Sequence, residues 1–86
     1  MKLYNTLKLF YELKDSIKLS SIEITDVNEN IFYLTAKSFE NLFATNLESI
    51  DNVMTFELLA SDVRDVNPIL DQEKLIIHIK GYKFYD

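Results

Sequence analysis

The sequence predicts a small α+β protein in which an antiparallel sheet of about four strands carries an N-terminal amphipathic helix on one face. Apolar residues near the N-terminus recur at helical spacing, while several later stretches alternate apolar and polar residues as half-buried strands do. The stretch 75–80 is the most strand-like, because four of its six residues are apolar and three of them are β-branched isoleucines. We expect it to be a central strand on which the earlier elements pack.

Composition indicates one globular domain, residues 1–86. The chain is 48% apolar and 27% charged, values typical of folded proteins. It has no cysteine, so it forms no disulfide, and a reducing, cytoplasmic compartment is the simplest setting. The N-terminus lacks the continuous apolar run of a secretory signal. No stretch approaches the roughly 20 apolar residues that a membrane span needs, so we expect no membrane contact.

The first element is predicted to be a helix over 3–19, uninterrupted by glycine or proline. Its apolar residues lie three or four positions apart, which places them on one face: Leu3, Leu7, Phe10, Leu13 and Ile17.

The apolar arc of this helix is wider than one core contact requires, since Tyr4 and Tyr11 flank it on one side and Leu9 on the other. One interpretation is that the sheet wraps part of the arc while the tyrosine hydroxyls stay in water. The other is a second contact surface, which predicts weak homodimerisation through Tyr4, Leu9 and Tyr11.

A β-hairpin of strands 21–26 and 30–36 is predicted next. Its loop has no glycine and is rich in Asn and Asp, which favours a connection of four or five residues over a tight turn. Ser38 has the position of an N-cap, and apolar spacing after it predicts a short helix over 38–45. The next stretch, 46–52, is interpreted as a polar loop or, equally, as a further turn or two of this helix.

The third strand is predicted at 53–59, with a continuation through 61–66 after a bend, and the fourth at 74–80. Asn67-Pro68 is interpreted as a turn between them. A bulge at Gly81 would turn Tyr82 and Phe84 inward. The order of elements is then α-β-β-α-β-β. The side chains expected in the core are Leu7, Phe10, Ile17, Ile24, Phe32, Leu34, Phe56, Leu58, Ile77 and Ile79.

Catalytic motifs are not recognisable, and we expect no enzyme activity, metal or cofactor. His78 is the only histidine, and the simplest interpretation is a strand residue that faces solvent or bonds a neighbour. One glycine is too few for a phosphate-binding loop. The acids of 62–73 lack the spacing of a calcium loop, so a solvated acidic edge is the simpler interpretation.

Charge is segregated along the chain. Residues 1–18 carry four lysines against two acids, and residues 74–86 carry three lysines against one acid. Residues 19–73 carry eleven acids against one lysine and one arginine, a net charge of −9. Such a surface would repel nucleic acid and attract basic proteins. The alternative is that the charge only aids solubility.

The function that these features favour is an acidic protein-binding module without catalysis. Abundant Asn, Ile, Lys and Tyr, all encoded by AT-rich codons, suit an AT-rich bacterium or a phage or mobile element that lives in one. One hypothesis is therefore an inhibitor, from a phage or mobile element, of a basic, nucleic-acid-handling host protein. The alternative is a homo-oligomeric structural or regulatory protein that associates through its first helix. The partner-binding residues are predicted in turns and loops, which project carboxylates furthest: Glu29, Asp51, Asp62, Asp65 and Asp71.

Overall fold

The computed structural model describes residues 1–44 and 56–80. Within them the chain forms three helices, four strands and a 3₁₀ turn. In chain order these are α1 (Leu3–Glu12), β1 (Ser21–Thr25), β2 (Ile31–Thr35), α2 (Ala36–Ala44), α3 (Phe56–Leu59), β3 (Val63–Ile69), the 3₁₀ turn (Leu70–Gln72) and β4 (Lys74–Ile79).

The strands form one sheet in the order β2-β1-β4-β3. The α+β class and the order α-β-β-α-β-β are confirmed, with α3 as an added single turn. The expectation of a wholly antiparallel sheet is wrong at its centre: β1–β2 and β3–β4 are antiparallel pairs, but β1 and β4 are parallel. The helical crossover explains this pairing, because α2 and α3 return the chain to the end of the sheet at which β2 began.

The core lies on one face of the sheet, beneath the helices. Ile77 is at its centre, where it pairs with Ile24 of β1 on one side and Val66 of β3 on the other. Predicted core residues that prove buried are Leu7, Ile24, Leu34, Leu58, Ile77 and Ile79, and Phe10, Ile17 and Phe32 are partly buried. Buried apolar residues outside the prediction are Leu3, Ile22, Phe39, Leu42, Leu59 and Leu75.

Helix α1 is shorter than the predicted 3–19. At its end the backbone N–H of Leu13 is shared between the carbonyls of Leu9 and Phe10, at 3.2 and 3.1 Å. This sharing tightens the last turn, and further turns carry the chain to Ser20, whose N–H donates to the carbonyl of Glu73 at 2.7 Å. The helix therefore ends where the chain must turn back to enter the sheet.

None of the described helices has the length and apolarity to cross a membrane.

Helix α2 begins earlier than predicted, directly after β2. Its N-cap is Thr35 and not Ser38, since Oγ1 of Thr35 accepts a hydrogen bond from the backbone N–H of Ser38 at 3.1 Å. The Thr35 hydroxyl also donates to Oγ of Ser38 at 3.1 Å. One threonine thus ends a strand and caps a helix with no loop between them.

The third strand is confirmed only in its predicted continuation, 61–66, which overlaps the observed strand, and the prediction of a strand up to residue 59 is wrong. Residues 56–59 form a helical turn, in which Leu58 and Leu59 are both buried, as strict strand alternation would not allow. The strand is Val63–Ile69, and it contains the Asn67-Pro68 pair that was interpreted as a turn. Proline is tolerated there because β3 is an edge strand, where a missing N–H breaks no ladder bond.

The hairpin is confirmed, and Asp26 organises its five-residue loop. One carboxylate oxygen accepts the backbone N–H groups of Asn28 and Asn30, both at 2.9 Å, and the other accepts the Asn30 side-chain amide at 3.0 Å. Burial opposes ionisation, but the hydrogen bonds from Asn30 and Asn28 prevail and lower the pKa of Asp26. Glu29 takes a left-handed conformation with φ 67° at the tip of the loop.

Several predictions fall outside the described residues. They are the loop 46–52, the first part of the strand 53–59, the burial of Phe56, the bulge at Gly81 and the partner contact of Asp51.

Candidate protein-binding surface

The sheet face opposite the helices is open in the part of the chain that the structure describes. We call it the open face. Strand pairing arranges its side chains in three rows that run from β2 across β1 and β4 to β3. The rows are Thr35–Ser21–Lys74–Ile69, Tyr33–Glu23–Ile76–Asn67 and Ile31–Thr25–His78–Asp65.

Charge on the central and β3 part of the open face is paired. Nζ of Lys74 lies 3.7 Å from Oε1 of Glu23, and Nδ1 of His78 lies 2.6 Å from Oδ1 of Asp65. An ionised carboxylate only accepts hydrogen bonds, so His78 carries the proton on Nδ1 when it donates to Asp65. The expectation that His78 bonds a neighbour is confirmed.

The β2 part of the open face is apolar and exposed. Tyr33 is 62% exposed and Ile31 is 47% exposed. Strand β2 carries no charged residue at all. Sequence reasoning did not select these two residues, although the absence of charge from 31–35 was a readable signal.

The predicted partner-binding acids do not form one patch. Glu29, Asp62 and Asp65 lie toward one end of the sheet, because the β1–β2 loop, the end of β4 and the start of β3 meet there. Asp71 lies at the opposite end, in the turn between β3 and β4. A partner that contacts Glu29 and Asp65 therefore approaches the open face from one end only.

Folding brings the basic ends of the chain onto its acidic middle. Lys2 pairs with Asp62 at 2.8 Å, and Lys18 lies 3.6 Å from Glu73. The hydrogen bond and charge of Lys2 lower the pKa of Asp62. The hydroxyl of Ser20, which donates to Glu73 at 2.6 Å, is the main cause that lowers the pKa of Glu73. The segregation of charge in the sequence is therefore partly cancelled in space.

The two tyrosines predicted to mediate self-association pack against α2. The Tyr4 ring lies 5.4 Å from that of Phe43, and the Tyr11 ring stacks on Phe43 at 4.9 Å, measured between centroids. Both are thus partly buried between helices rather than on a free flank, whereas Leu9 is 47% exposed. This geometry leaves only Leu9 of the predicted association surface on the outside of α1.

A groove of about 380 Å³ lies between the turns after α1 and the start of α2. Lys14 and Lys18 line it together with Asp15 and Glu40, so its formal charges balance. Lys14 is already engaged, since its ammonium lies 4.3 Å from the centre of the Tyr11 ring and donates to the Tyr11 hydroxyl at 3.2 Å. The groove presents no concentration of one charge that would select an ionic ligand.

Among the described residues no cluster of three or more His, Asp or Glu side chains is placed to hold a metal ion. No family model, curated protein or solved structure matches the chain. The surface must therefore be interpreted from its own geometry.

Proposed function

We propose that this chain is a small protein-binding module that acts by occupying a partner, without catalysis, and that the β2 side of the open face is its contact surface. The observation that carries the proposal is the exposed pair Tyr33 and Ile31 on that face. Tyrosine is enriched at protein interfaces because its ring gives a large apolar contact while its hydroxyl remains able to bond.

The surroundings of this pair support a protein partner. Glu29, in the loop that leads into β2, places a carboxylate beside the apolar pair, and Asp65 lies toward the same end of the sheet on its far edge. An apolar centre with a polar border is the usual arrangement of a protein–protein interface. The two carboxylates favour a basic partner, which they would steer more than they would tighten the complex. Direct contact with nucleic acid is disfavoured by the same charge.

The finer hypothesis is an inhibitor, encoded by a phage or mobile element, that works in the cytoplasm on a basic, nucleic-acid-handling host protein. The abundance of residues that AT-rich codons encode, the small size and the net charge of −5 support it.

The test is affinity capture from a lysate of the source cell, read by mass spectrometry, with three baits. They are the wild type, Tyr33→Ser with Glu29→Lys, and the control Asp71→Lys at the other end of the sheet. We expect a basic protein that the wild type and control enrich equally and the double variant loses. Proteins that the double variant enriches as strongly as the wild type does, or captured proteins that are acidic, would contradict the proposal.

Self-association through α1 is a second candidate, for a structural or regulatory homo-oligomer. Its supporting observation is that Leu9 and Leu13, four positions apart, are 47% and 44% exposed. Replacing both with Ser should convert such an oligomer to monomer, as measured by light scattering, and a wild type that is monomeric at high concentration would contradict it.

A further inference from the structure

The outer edge of β2 is an exposed strand edge. Asp26 donates its backbone N–H to the carbonyl of Asn30 at 3.1 Å, and Ser21 donates toward β4, to Glu73, at 3.3 Å. Backbone N–H and C=O groups of successive strand residues point to opposite sides. The two hydrogen bonds therefore fix the direction of the others, and the backbone groups of Phe32 and Leu34 point toward β1. The backbone groups of Ile31, Tyr33 and Thr35 then point outward. The carbonyl of Thr35, the N-cap, accepts the first hydrogen bond of α2, and no described residue bonds to the other outward groups.

Within residues 1–44 and 56–80 this edge also lacks the features by which proteins prevent strand addition. Proteins protect such edges with charged side chains, proline, bulges or a covering segment. The sequence of β2, Ile-Phe-Tyr-Leu-Thr, has no charge and no proline, and its register with β1 is regular. An unprotected edge of this kind is suited to pairing with a further strand.

We infer that β2 pairs antiparallel with β2 of a second copy of this chain, across a two-fold axis at Tyr33, to form one continuous sheet through both copies. This inference goes beyond the proposed function and does not depend on it.

The strand is self-complementary in this register. Tyr33 would exchange both backbone hydrogen bonds with Tyr33 of the second copy, and the N–H of Thr35 would meet the carbonyl of Ile31. No charge lies on the strand, so the two-fold axis brings no like charges together. The two Tyr33 rings would lie side by side on the open face as a cross-strand aromatic pair.

The residues that flank the strand favour a second copy as the occupant. In an antiparallel pair the start of one strand lies beside the end of the other. Glu29, in the loop before β2, would therefore lie at the same end of the strand pair as Lys37 of the second copy, in the first turn of α2. Both side chains are exposed, and neither forms an ion pair with another described residue. Within one copy Glu29 and Lys37 lie at opposite ends of β2, roughly 20 Å apart. They could therefore form an ion pair across the two-fold axis but not within one chain.

The experiment is a charge exchange followed by sedimentation equilibrium. Glu29→Lys and Lys37→Glu should each weaken the dimer roughly 2- to 30-fold, the range expected when two exposed ion pairs become repulsive. The double variant Glu29→Lys with Lys37→Glu restores both pairs and should restore the wild-type dissociation constant. Rescue of this kind distinguishes a contact across the axis from a loss of folding.

Two further variants test the strand and the main alternative. Tyr33→Pro removes an outward N–H that no described residue uses, so circular dichroism should report an intact fold while the dimer is lost. Leu9→Ser should leave the dimer unchanged. In the wild type, amide exchange at Ile31, Tyr33 and Thr35 should slow as protein concentration rises.

A monomeric wild type at millimolar concentration would overturn the inference. A dimer that still forms in Tyr33→Pro would also overturn it. So would a double variant that dimerises more weakly than either single variant. Each of these outcomes leaves the lysate test of the proposed function unaffected, because that test compares capture of a different protein.

Discussion

The two edges of the sheet are built in opposite ways. Strand β3 carries Arg64 and Asp65, contains Pro68 and has an irregular register between Val63 and Asp65. The N-terminus also covers its start, since Lys2 bridges to Asp62. Strand β2, at the other edge, has no charge, no proline and a regular register, and no described strand pairs with its outer side.

This difference indicates that only one edge is kept from pairing. Charge, proline and bulges lower the affinity of a strand edge for another strand, and β3 combines all three with a covering segment. Both edges belong to the same sheet, so a general need for solubility would apply to both. The unprotected edge is therefore the one at which we expect association, and the protected edge serves as an internal reference.

The largest effect should come from the residue that joins the two halves of the sheet. Ile77 is fully buried and pairs with both Ile24 and Val66. Ile77→Ala should lower the free energy of unfolding by about 2–5 kcal/mol, through lost apolar burial and the cavity left behind. Urea denaturation measures it, and amide exchange should accelerate in β2 and β3 alike. A loss below about 1 kcal/mol would show that the two halves do not share this core.

A smaller effect, confined to the β2 side, is expected at the hairpin loop. Asp26→Ala removes an acceptor of three hydrogen bonds and should cost about 1–3 kcal/mol. Exchange should accelerate in β1 and β2 more than in β3.

The same variant has a pH signature. Because folding lowers the pKa of Asp26, its stabilisation is complete above the ordinary value of 3.8 and is lost as pH falls through the lower folded pKa. The stability difference between wild type and Asp26→Ala should therefore be constant at neutral pH and shrink in acid. A difference that does not change with pH would contradict an ionised, hydrogen-bonded Asp26.

Removing the protection of β3 should change association more than stability. Pro68→Val restores an N–H on an edge strand and adds a strand-forming residue, so we expect a change in unfolding free energy within about 1 kcal/mol. Light scattering should show new self-association that Tyr33→Pro does not abolish. An unchanged association state would show that Arg64, Asp65 and the bulge suffice without proline.

Adding protection to β2 should have the smallest effect on stability. Tyr33 is 62% exposed, so Tyr33→Lys should change the free energy of unfolding by about 0.5 kcal/mol or less, while it gives this edge a charge like that of β3. The expected result in sedimentation is a monomer. A dimer as tight as that of the wild type would show that a charge on β2 does not prevent pairing at this edge.

The fold was largely predictable because hydrophobic periodicity reports directly which face of an element is buried. Alternation located β1, β2 and β4, and the spacing of Leu3 and Leu7 located α1. Alternation is the same in parallel and antiparallel pairs, so the direction of β4 beside β1 was not predictable from it. The third strand was predicted to end too early, at residue 66, because Pro68 is a turn signal elsewhere but is acceptable on an edge strand. Only the assembled sheet shows which strands are edges.

The candidate surface was less predictable because it depends on contacts between distant residues. Charge counted along the sequence suggested a uniformly acidic middle, but Lys2 and Lys18 pair with acids more than fifty positions away. The spacing of Tyr4 and Tyr11 in the sequence predicts an exposed flank of α1, and it does not show that α2 packs on them. Ile31 and Tyr33 resemble any strand residues until β2 is known to be an edge.

The parallel pair at the centre of the sheet has a consequence for how the chain folds. The hydroxyl of Ser20 bonds to Glu73, 53 residues later, at the point where β1 and β4 meet. Each outer hairpin closes a short loop and can form early, whereas the central pair must close a long one, whose entropic cost precedes any gain. During synthesis the hairpin of β1 and β2 therefore leaves the ribosome with both of its edges open. It remains so until β4 emerges, and this interval is when a chaperone or a second nascent chain has access to β1.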